Sequence, residues 1–235
     1  MNKEKENIIE KNGVCEDYLV ICDHASNNIP LEYDNLGISK KDLESHRAFD
    51  LGASEVAIEL SSLLSCSLVM ANFSRLLIDP NRGKDDPTLI PKLSEGKIIK
   101  GNINISMSED DIERSKRILR FYLPYHRQID GFINKSLDNG KIPKILSIHS
   151  FTPIWKGKKR DIDIGILWDK DDRLSKIFLD SLKNIKLGDN KPYSGRLKND
   201  TLYKHATSHG IPHVLIEIRQ DLLKKEKDKL QWAKK

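Results

Sequence analysis

Short apolar runs that alternate with segments of helical periodicity constrain this 235-residue chain more than any other feature. Each run is too short to form a helix of its own, and polar residues or proline follow it. Such alternation is typical of α/β proteins. We therefore expect a three-layer α/β fold in which a mixed, mostly parallel sheet has helices on both faces. The predicted strands span residues 18–22, 67–73, 144–148, 163–168 and 213–218.

The spacing of apolar residues also places the helices. Residues 39–64 have apolar side chains at helical intervals after a capping pattern, so we predict one continuous helix there. A second helix is predicted over residues 108–137, with Ser108 as its cap and a break or kink at Pro124. Further helices are expected over residues 171–185 and at the C-terminus.

The remaining segments are expected to be irregular or extended. Residues 1–13 are a charged, polar leader, and residues 74–78 are expected to continue the second strand in extended form. Residues 83–107 show little periodicity and contain proline and glycine, so we predict a long loop with a small hairpin near residues 98–105. A long loop in a compact domain is more often functional than idle.

Composition excludes several classes of protein. The 40 Lys and Arg residues nearly balance the 35 Asp and Glu residues and are interleaved with them, so no nucleic-acid partner is expected. The leader lacks the apolar core of a signal peptide, and no apolar run approaches the ~20 residues that span a bilayer. The three cysteines form no CxxC pair, which fits a reducing compartment. We expect a cytoplasmic protein with one domain over residues 1–235 and no membrane partner.

Three polar residues lie at or near the ends of predicted strands. His24 follows the first strand, His149 ends the strand that begins at residue 144, and Glu217 interrupts the apolar run of the last strand. Ligands of open α/β sheets bind outside the carboxyl ends of the strands. Two imidazoles could hold zinc there, and a carboxylate beside a metal-bound water is what general-base hydrolysis requires. Taken singly, His149 could instead be a core residue, and Glu217 could lie on a solvated face.

Other charged side chains suggest binding roles with equally ordinary alternatives. Arg75 and Arg82 flank an apolar run and could bind a substrate carboxylate through their guanidinium forks, or they could form surface ion pairs. His46 and Asp50 are one turn apart on the predicted helix, a spacing that suits either a metal or a local ion pair. The chain has no Gly-rich phosphate loop, GxSxG elbow or HExxH motif. The sequence therefore lacks the motifs that define nucleotide-dependent enzymes and serine hydrolases.

Five sequence blocks, taken together and in order, resemble the N-formylglutamate amidohydrolase family. They are Asp23 to Pro30, His46 to Ala53, Ser74 to Arg82, His149 to Pro153 and Glu217 to Arg219, and the span from the first block to the last covers most of the chain. That family is distantly similar to the zinc metallocarboxypeptidases. The resemblance therefore implies a metallocarboxypeptidase-like fold and one zinc ion.

The resemblance also implies roles for individual residues. His24 and His149 would be zinc ligands and Glu217 the general base or acid, while Arg82 and Arg75 would hold a carboxylate or the oxyanion. The carboxypeptidase motif has Glu three residues after its first His, whereas this chain has Asn27. Asp50 is the first choice for the third ligand and Asp23 the second. Substrate-binding roles are expected for Arg75, Asn81, Asn27 and Ser150.

The implied activity is hydrolysis of N-formyl-L-glutamate to formate and glutamate, as in histidine degradation. The substrate would be a small amide that bears a carboxylate. Two alternatives stay open at the level of sequence. The first is a zinc amidase or carboxypeptidase that acts on another N-acyl amino acid or a peptide. The second is a non-catalytic protein that binds acidic metabolites, or that binds RNA weakly through its lysines.

Overall fold

The structure, a computed structural model, describes residues 5–182 and 184–235 and contains one large sheet. Its strands, in chain order, are β1 (Ile8–Lys11), β2 (Cys15–Cys22), β3 (Cys66–Ala71), β4 (Leu93–Ser94), β5 (Lys97–Ile98), β6 (Lys144–Phe151), β7 (Ile154–Trp155), β8 (Lys158–Lys159), β9 (Ile164–Leu167), β10 (Leu187–Asp189) and β11 (His213–Arg219). Strands β4 and β5 form one small hairpin, and β7 and β8 form another. The other seven strands form the sheet, in the order β1-β3-β2-β6-β11-β9-β10.

Four central strands of the sheet are parallel. Strands β3, β2, β6 and β11 run in the same direction, whereas β1 pairs antiparallel with β3 at one edge. On the other side, β9 is antiparallel to β11 and β10 is parallel to β9. The prediction of a mixed, mostly parallel sheet is confirmed.

Helices cover both faces of this sheet, as expected. They are α1 (Lys40–Leu43), α2 (Ala53–Leu63), α3 (Ile112–Arg117), α4 (Leu123–Asp138), α5 (Arg173–Ser181), α6 (Thr201–His205) and α7 (Glu226–Ala233). Helices α2, α5 and α7 pack into one apolar core with one face of the sheet, and α4 and α6 pack into a second core with the other face. Within the described ranges, no helix is both long enough and apolar enough to cross a bilayer.

Side-chain alternation along the central strands positions the functional residues. In β11, Val214, Ile216 and Ile218 belong to the core beneath α2, whereas Leu215 belongs to the core beneath α4. Because successive residues of a strand point to opposite faces, Glu217 shares the face of Leu215. Glu217 is also the register partner of His149 in β6, so the two residues lie side by side on adjacent parallel strands.

The predicted continuous helix over residues 39–64 is wrong. The structure has one helical turn, α1, and then a loop that leads to α2. Gly52 in this loop has a φ of 81°, and a Cβ there would lie 2.7 Å from Leu223 Cβ. A residue with positive φ cannot continue a right-handed helix. Asp50 therefore lies in a loop, where its N–H donates to the His24 carbonyl oxygen at 2.9 Å.

The second predicted helix exists, but its start and its irregularity differ from expectation. Asp111, rather than Ser108, is the cap, and its carboxylate accepts the Arg114 N–H at 2.8 Å. At the predicted break, a π-helical turn over Ile118–Tyr122 joins α3 to α4 just before Pro124. Proline is tolerated in the first turn of a helix because its missing N–H is not needed there.

Other boundaries also differ. Residues 75–77 form a turn rather than an extended segment, and the small hairpin lies at residues 93–98 rather than 98–105. The helix predicted over residues 171–185 ends at Ser181, and residue 183 lies outside the described residues. Strand β1 lies within the predicted leader, of which residues 1–4 are outside the described residues.

Candidate metal and active site

A pocket of about 510 Å³ opens where β2, β6 and β11 end. Because these strands are parallel neighbours, their carboxyl ends bring together residues that are far apart in sequence. Eight of the nine predicted site residues line the pocket: His24, Asp50, Arg75, Asn81, Arg82, His149, Ser150 and Glu217.

Asn27 is the exception, since the structure does not bring it to the pocket. Its side-chain amide donates to the Leu43 carbonyl oxygen at 2.9 Å and so ties the loop after β2 to the end of α1. This hydrogen bond has a structural role, and Asn27 is not among the residues that line the pocket.

His24, Asp50 and His149 form a buried group whose potential ligand atoms all lie within 4.8 Å of one another. Asp50 Oδ2 lies 2.9 Å from His149 Nδ1 and 3.5 Å from His24 Nδ1. His24 Nδ1 is buried and has no hydrogen-bond partner. Two imidazoles and a carboxylate are a common ligand set for a catalytic zinc ion, which keeps a fourth position for water or substrate.

Two further carboxylates hold the outer nitrogens of the imidazole rings. Asp79 Oδ1 lies 2.7 Å from His24 Nε2, and Asp23 Oδ2 lies 3.1 Å from His149 Nε2. Because a carboxylate can only accept, each Nε2 donates a proton to its carboxylate, and the Nδ1 atom of each ring faces Asp50. Carboxylates behind metal-binding histidines fix the ring orientation in this way.

The charges of these groups favour a cation between the two rings. Burial, together with the charge of Arg75, lowers the pKa of His24 to about 4, so the ring is neutral near pH 7. Burial alone would raise the pKa of Asp23, but the hydrogen bond and charge of His149 lower it to about 2. His149 thus lies between two carboxylates. Its Nδ1 lone pair and the Asp50 carboxylate would repel each other unless a proton or a metal ion lay between them. The residues present fit a divalent metal.

Asp23 and Asp79 are themselves held rigidly. Asp23 Oδ1 accepts hydrogen bonds from Tyr125 at 3.0 Å and from Thr201 at 2.6 Å, both from the face of the sheet that α4 and α6 cover. Asp79 Oδ1 accepts the backbone N–H of Asn81 at 2.9 Å. These contacts leave neither carboxylate free to turn toward the centre of the pocket.

Glu217 is buried beside this group and has an unused oxygen. Its Oε2 atom has no hydrogen-bond partner, and burial raises its pKa above the ordinary value. A carboxylate without a partner in a buried position is costly, so such a group is usually retained for chemistry or ligand binding. Glu217 has the environment of a general base that binds a proton readily.

The two predicted arginines have different surroundings. Arg75 is hydrogen-bonded to Asp50 through Nη2, so it neutralises the carboxylate of the candidate metal group. Arg82 donates from Nε to Thr88 at 3.2 Å and from Nη1 to the Asn81 carbonyl oxygen at 2.9 Å, and it retains a donor for a ligand. Arg82 is therefore the more available of the two cations.

Asn81 and Ser150 line the pocket, and the side chain of each already has a hydrogen bond within the protein. The Asn81 side-chain oxygen accepts the Thr201 N–H at 3.1 Å, while Ser150 Oγ donates to the Leu51 carbonyl oxygen at 2.9 Å. The Ser150 N–H lies 3.3 Å from Asp50 Oδ2, which helps to orient that carboxylate. His46 does not join Asp50, since its Nε2 pairs with Glu95 at 2.9 Å.

Residues that sequence reasoning left without a role complete the site. Asp79, Tyr125 and Thr201 support the imidazoles directly or through Asp23, and Asp200 and Gln220 line the pocket. Asp79 had a detectable signal, because it is an acid directly after an apolar run and before a proline. Tyr125 has only a weak signal, since an aromatic residue near Pro124 could line a pocket but is more often part of the core. Thr201 has none, because it reaches Asp23 only through tertiary packing.

Comparison with known proteins decides the family. A family model described as N-formylglutamate amidohydrolase matches residues 17–224, which is most of the chain. The chain belongs to the N-formylglutamate amidohydrolase family. The resemblance inferred from the five sequence blocks is thereby confirmed. Among proteins with curated descriptions, none matches the chain significantly.

Two solved structures are similar to this member of the N-formylglutamate amidohydrolase family. A gene product of Agrobacterium tumefaciens is 35% identical, with a TM-score of 0.92, and the match covers 100% of this chain and 93% of that one. An N-formylglutamate amidohydrolase from Ralstonia eutropha JMP134 is 18% identical, with a TM-score of 0.57, over 97% of this chain and 96% of that one. At 18% identity, the similarity to the second structure shows a shared fold and nothing more.

Proposed function

We propose that this protein is a zinc-dependent amidohydrolase that cleaves N-formyl-L-glutamate to formate and L-glutamate. The observation that carries the proposal is the convergence of His24 Nδ1, His149 Nδ1 and Asp50 Oδ2 beside the unpartnered Oε2 of Glu217. Membership of the N-formylglutamate amidohydrolase family supports the reaction type. We further propose that residues 1–235 act as one catalytic domain in the cytoplasm and serve histidine degradation.

The proposed zinc site uses His24, His149 and Asp50 as ligands. When bound, zinc supplies the Lewis acidity that polarises the amide carbonyl and makes water acidic enough to attack at neutral pH. Asp79 and Asp23 hold the two imidazoles in the tautomer that can bind a metal. Arg75 offsets the charge of Asp50 and so limits repulsion of an acidic substrate.

Glu217 carries the proton transfers in this proposal. Its carboxylate accepts a proton from the attacking water and then donates that proton to the departing amine nitrogen. Because burial raises its pKa, Glu217 holds the proton more tightly than an exposed glutamate and is suited to both steps. Arg82 stabilises the negative charge that develops on the carbonyl oxygen.

The shape of the pocket favours a second candidate substrate. Its volume of about 510 Å³ lies in the range that holds drug-sized ligands, and Phe151, Trp155 and Leu197 give part of it an apolar wall. N-formylglutamate carries the smallest possible acyl group and would leave this wall uncovered. Hydrolysis of an N-acyl amino acid with a larger acyl group is therefore the alternative.

Metal analysis and a substrate panel test the proposal. Purified protein is expected to contain one zinc per chain, and removal of zinc by a chelator is expected to abolish formate release until zinc is restored. Release of formate from N-formyl-L-glutamate, measured against N-acetyl and longer N-acyl glutamates, separates the two substrates. Absence of bound metal together with unaltered activity in Glu217→Gln would refute the catalytic proposal and favour a metabolite-binding protein.

A further inference from the structure

Three arginines that line the pocket already have nearby carboxylates. Arg47 donates to Asp42 at 2.7 Å, and Arg75 is paired with Asp50. Arg82 has a carboxylate of its own loop 4.0 Å from its Nε. An ion pair of this kind satisfies part of the hydrogen-bonding capacity of a guanidinium and reduces its attraction for a further anion.

Arg160 differs from these three residues. Its Nη1 donates to the Tyr193 hydroxyl at 2.9 Å and to the Thr152 carbonyl oxygen at 3.4 Å. Over residues 5–182 and 184–235, no carboxylate lies within ion-pair distance of Arg160, and its Nε and Nη2 atoms have no protein acceptor. Arg160 is half-buried, so its unused donors lie in a partly desolvated position.

Arg160 is not itself among the residues that line the pocket, but aromatic rings of the pocket wall contact its guanidinium. The Arg160 Cζ atom lies 5.4 Å from the ring centroid of Phe151, 5.5 Å from that of Trp155 and 4.9 Å from that of Tyr193. All three rings line the pocket. Aromatic faces attract a cation but offer no acceptor for its N–H groups. The rings therefore fix the position of the guanidinium and leave its donors for a ligand.

The charge of Arg160 also reaches the interior of the site. Burial raises the pKa of Glu217, and the positive charge of Arg160 is among the effects that oppose this rise. Arg160 is thus close enough to influence the general base, although it belongs to the chain segment just after the β7–β8 hairpin.

We propose that Arg160 is a specificity-determining residue that binds the side-chain carboxylate of an acidic N-acyl amino acid. The planar fork of a guanidinium matches a carboxylate with two parallel hydrogen bonds. In this arrangement Arg160 binds the side-chain carboxylate, Arg82 keeps its role at the carbonyl oxygen, and the rings around Arg160 lie beside the methylene groups of the substrate. The inference rests on the proposed function, because it concerns the substrate of the same pocket.

The test compares an acid with its neutral isostere. Four zinc-reconstituted proteins are compared: the wild-type protein and the variants Arg160→Met, Arg160→Lys and Lys159→Met. Calorimetry measures their binding of L-glutamate and of L-glutamine. Their KM values are then measured for the N-formyl derivatives of both amino acids. Lys159→Met is the matched control, since it removes a positive charge from the adjacent, exposed residue. We expect the preference for glutamate to fall about ten- to hundredfold in Arg160→Met and to be unchanged in Lys159→Met. Arg160→Lys should retain part of it.

Each outcome decides the inference. A preserved preference in Arg160→Met, or equal or absent binding of the two amino acids by the wild-type protein, contradicts it. If Arg160→Met does not fold, as judged by thermal unfolding, full preference in Arg160→Lys contradicts it and a partial loss supports it. Failure of the wild-type protein to hydrolyse any N-formyl amino acid, alongside an Arg160-dependent preference for glutamate, removes the proposed reaction but leaves the carboxylate site in place.

Discussion

Asp79 Oδ1 lies 2.7 Å from His24 Nε2, and this contact determines which nitrogen of His24 faces Asp50. Asp79 follows an apolar run and is held by the backbone of the next turn, so it cannot rotate away from the ring. The orientation of a candidate metal ligand thus depends on a residue that does not itself reach the metal position.

The variant Asp79→Asn is expected to bind zinc about 10- to 100-fold more weakly than the wild-type protein. An amide can present its N–H₂ group to Nε2, which favours the wrong tautomer of His24 and removes a negative charge behind the ring. Competition with a chromophoric chelator measures the affinity. Asp110→Asn, at an exposed position, is the control, and equal affinities in all three proteins would contradict the assigned role.

Glu217→Gln is expected to lower kcat by about 10²- to 10⁴-fold without loss of bound zinc, because only the proton transfers are removed. Since burial raises the pKa of Glu217 above 4.5, the basic form disappears as the pH falls through that raised value. The acid limb of kcat/KM in the wild-type protein should therefore lie above pH 4.5. Exposed Glu109→Gln should behave as the wild-type protein.

Asp200 gives a pH dependence of stability. Burial, with a contribution from the charge of Asp23, raises its pKa from 3.8 to about 7, although its hydrogen bond from the Tyr203 N–H opposes the rise. The folded state then binds the proton more tightly than the unfolded state. The contribution of Asp200 to the free energy of unfolding therefore falls as the pH rises from 3.8 to about 7 and is level above that.

Asp200→Asn should remove this slope, because asparagine caps the α6 N-terminus equally well and does not ionise. In the zinc-free protein, the variant is expected to be more stable at pH 8 by up to a few kcal/mol and to lose most of that advantage near pH 4. Urea unfolding between pH 4 and pH 8 measures the difference. If the free energies of unfolding of the variant and the wild-type protein differ by the same amount at every pH, Asp200 does not bind its proton more tightly in the folded state.

Two glycines give opposite predictions for the same substitution. A Cβ at Gly165 in β9 would lie 2.2 Å from the Lys191 carbonyl oxygen, whereas a Cβ at Gly131 in α4 would meet nothing within 4 Å. Gly165→Ala is expected to reduce the free energy of unfolding by roughly 1–3 kcal/mol, and Gly131→Ala to increase it by up to about 1 kcal/mol. Urea unfolding measures both changes. If the two substitutions change the free energy of unfolding in the same direction, the close approach of the Lys191 carbonyl oxygen to β9 does not matter for stability.

The sequence predicted the architecture and most of the residues that line the pocket, because strand-end positions are local signals. His149 and Glu217 each interrupt or end an apolar run, and the topology of a parallel sheet brings such positions together. Asp50 was placed on a helix by the apolar periodicity of its neighbours. The positive φ of Gly52, which depends on close contact with Leu223, is a tertiary effect that periodicity does not contain.

The supporting residues were harder to predict for a related reason. Thr201 contacts Asp23 although 178 positions separate them, and Tyr125 contacts Asp23 across 102 positions. Hydroxyl groups on helices occur throughout a protein, so nothing local distinguishes these two. Asn27 is the opposite case, because its place in a motif predicts a ligand contact, whereas its amide anchors a loop and the residue does not line the pocket.

Strand β1 has a consequence for handling the protein. It pairs antiparallel with β3 from Ile8↔Ala71 to Lys11↔Leu68 and so covers the outer edge of a strand whose six residues are all buried. A truncation that removes residues 1–11 would leave the N–H and C=O groups of that edge unpaired, and exposed strand edges recruit other chains. Such a truncated protein should self-associate in size-exclusion chromatography, whereas a C-terminal purification tag would leave the edge covered.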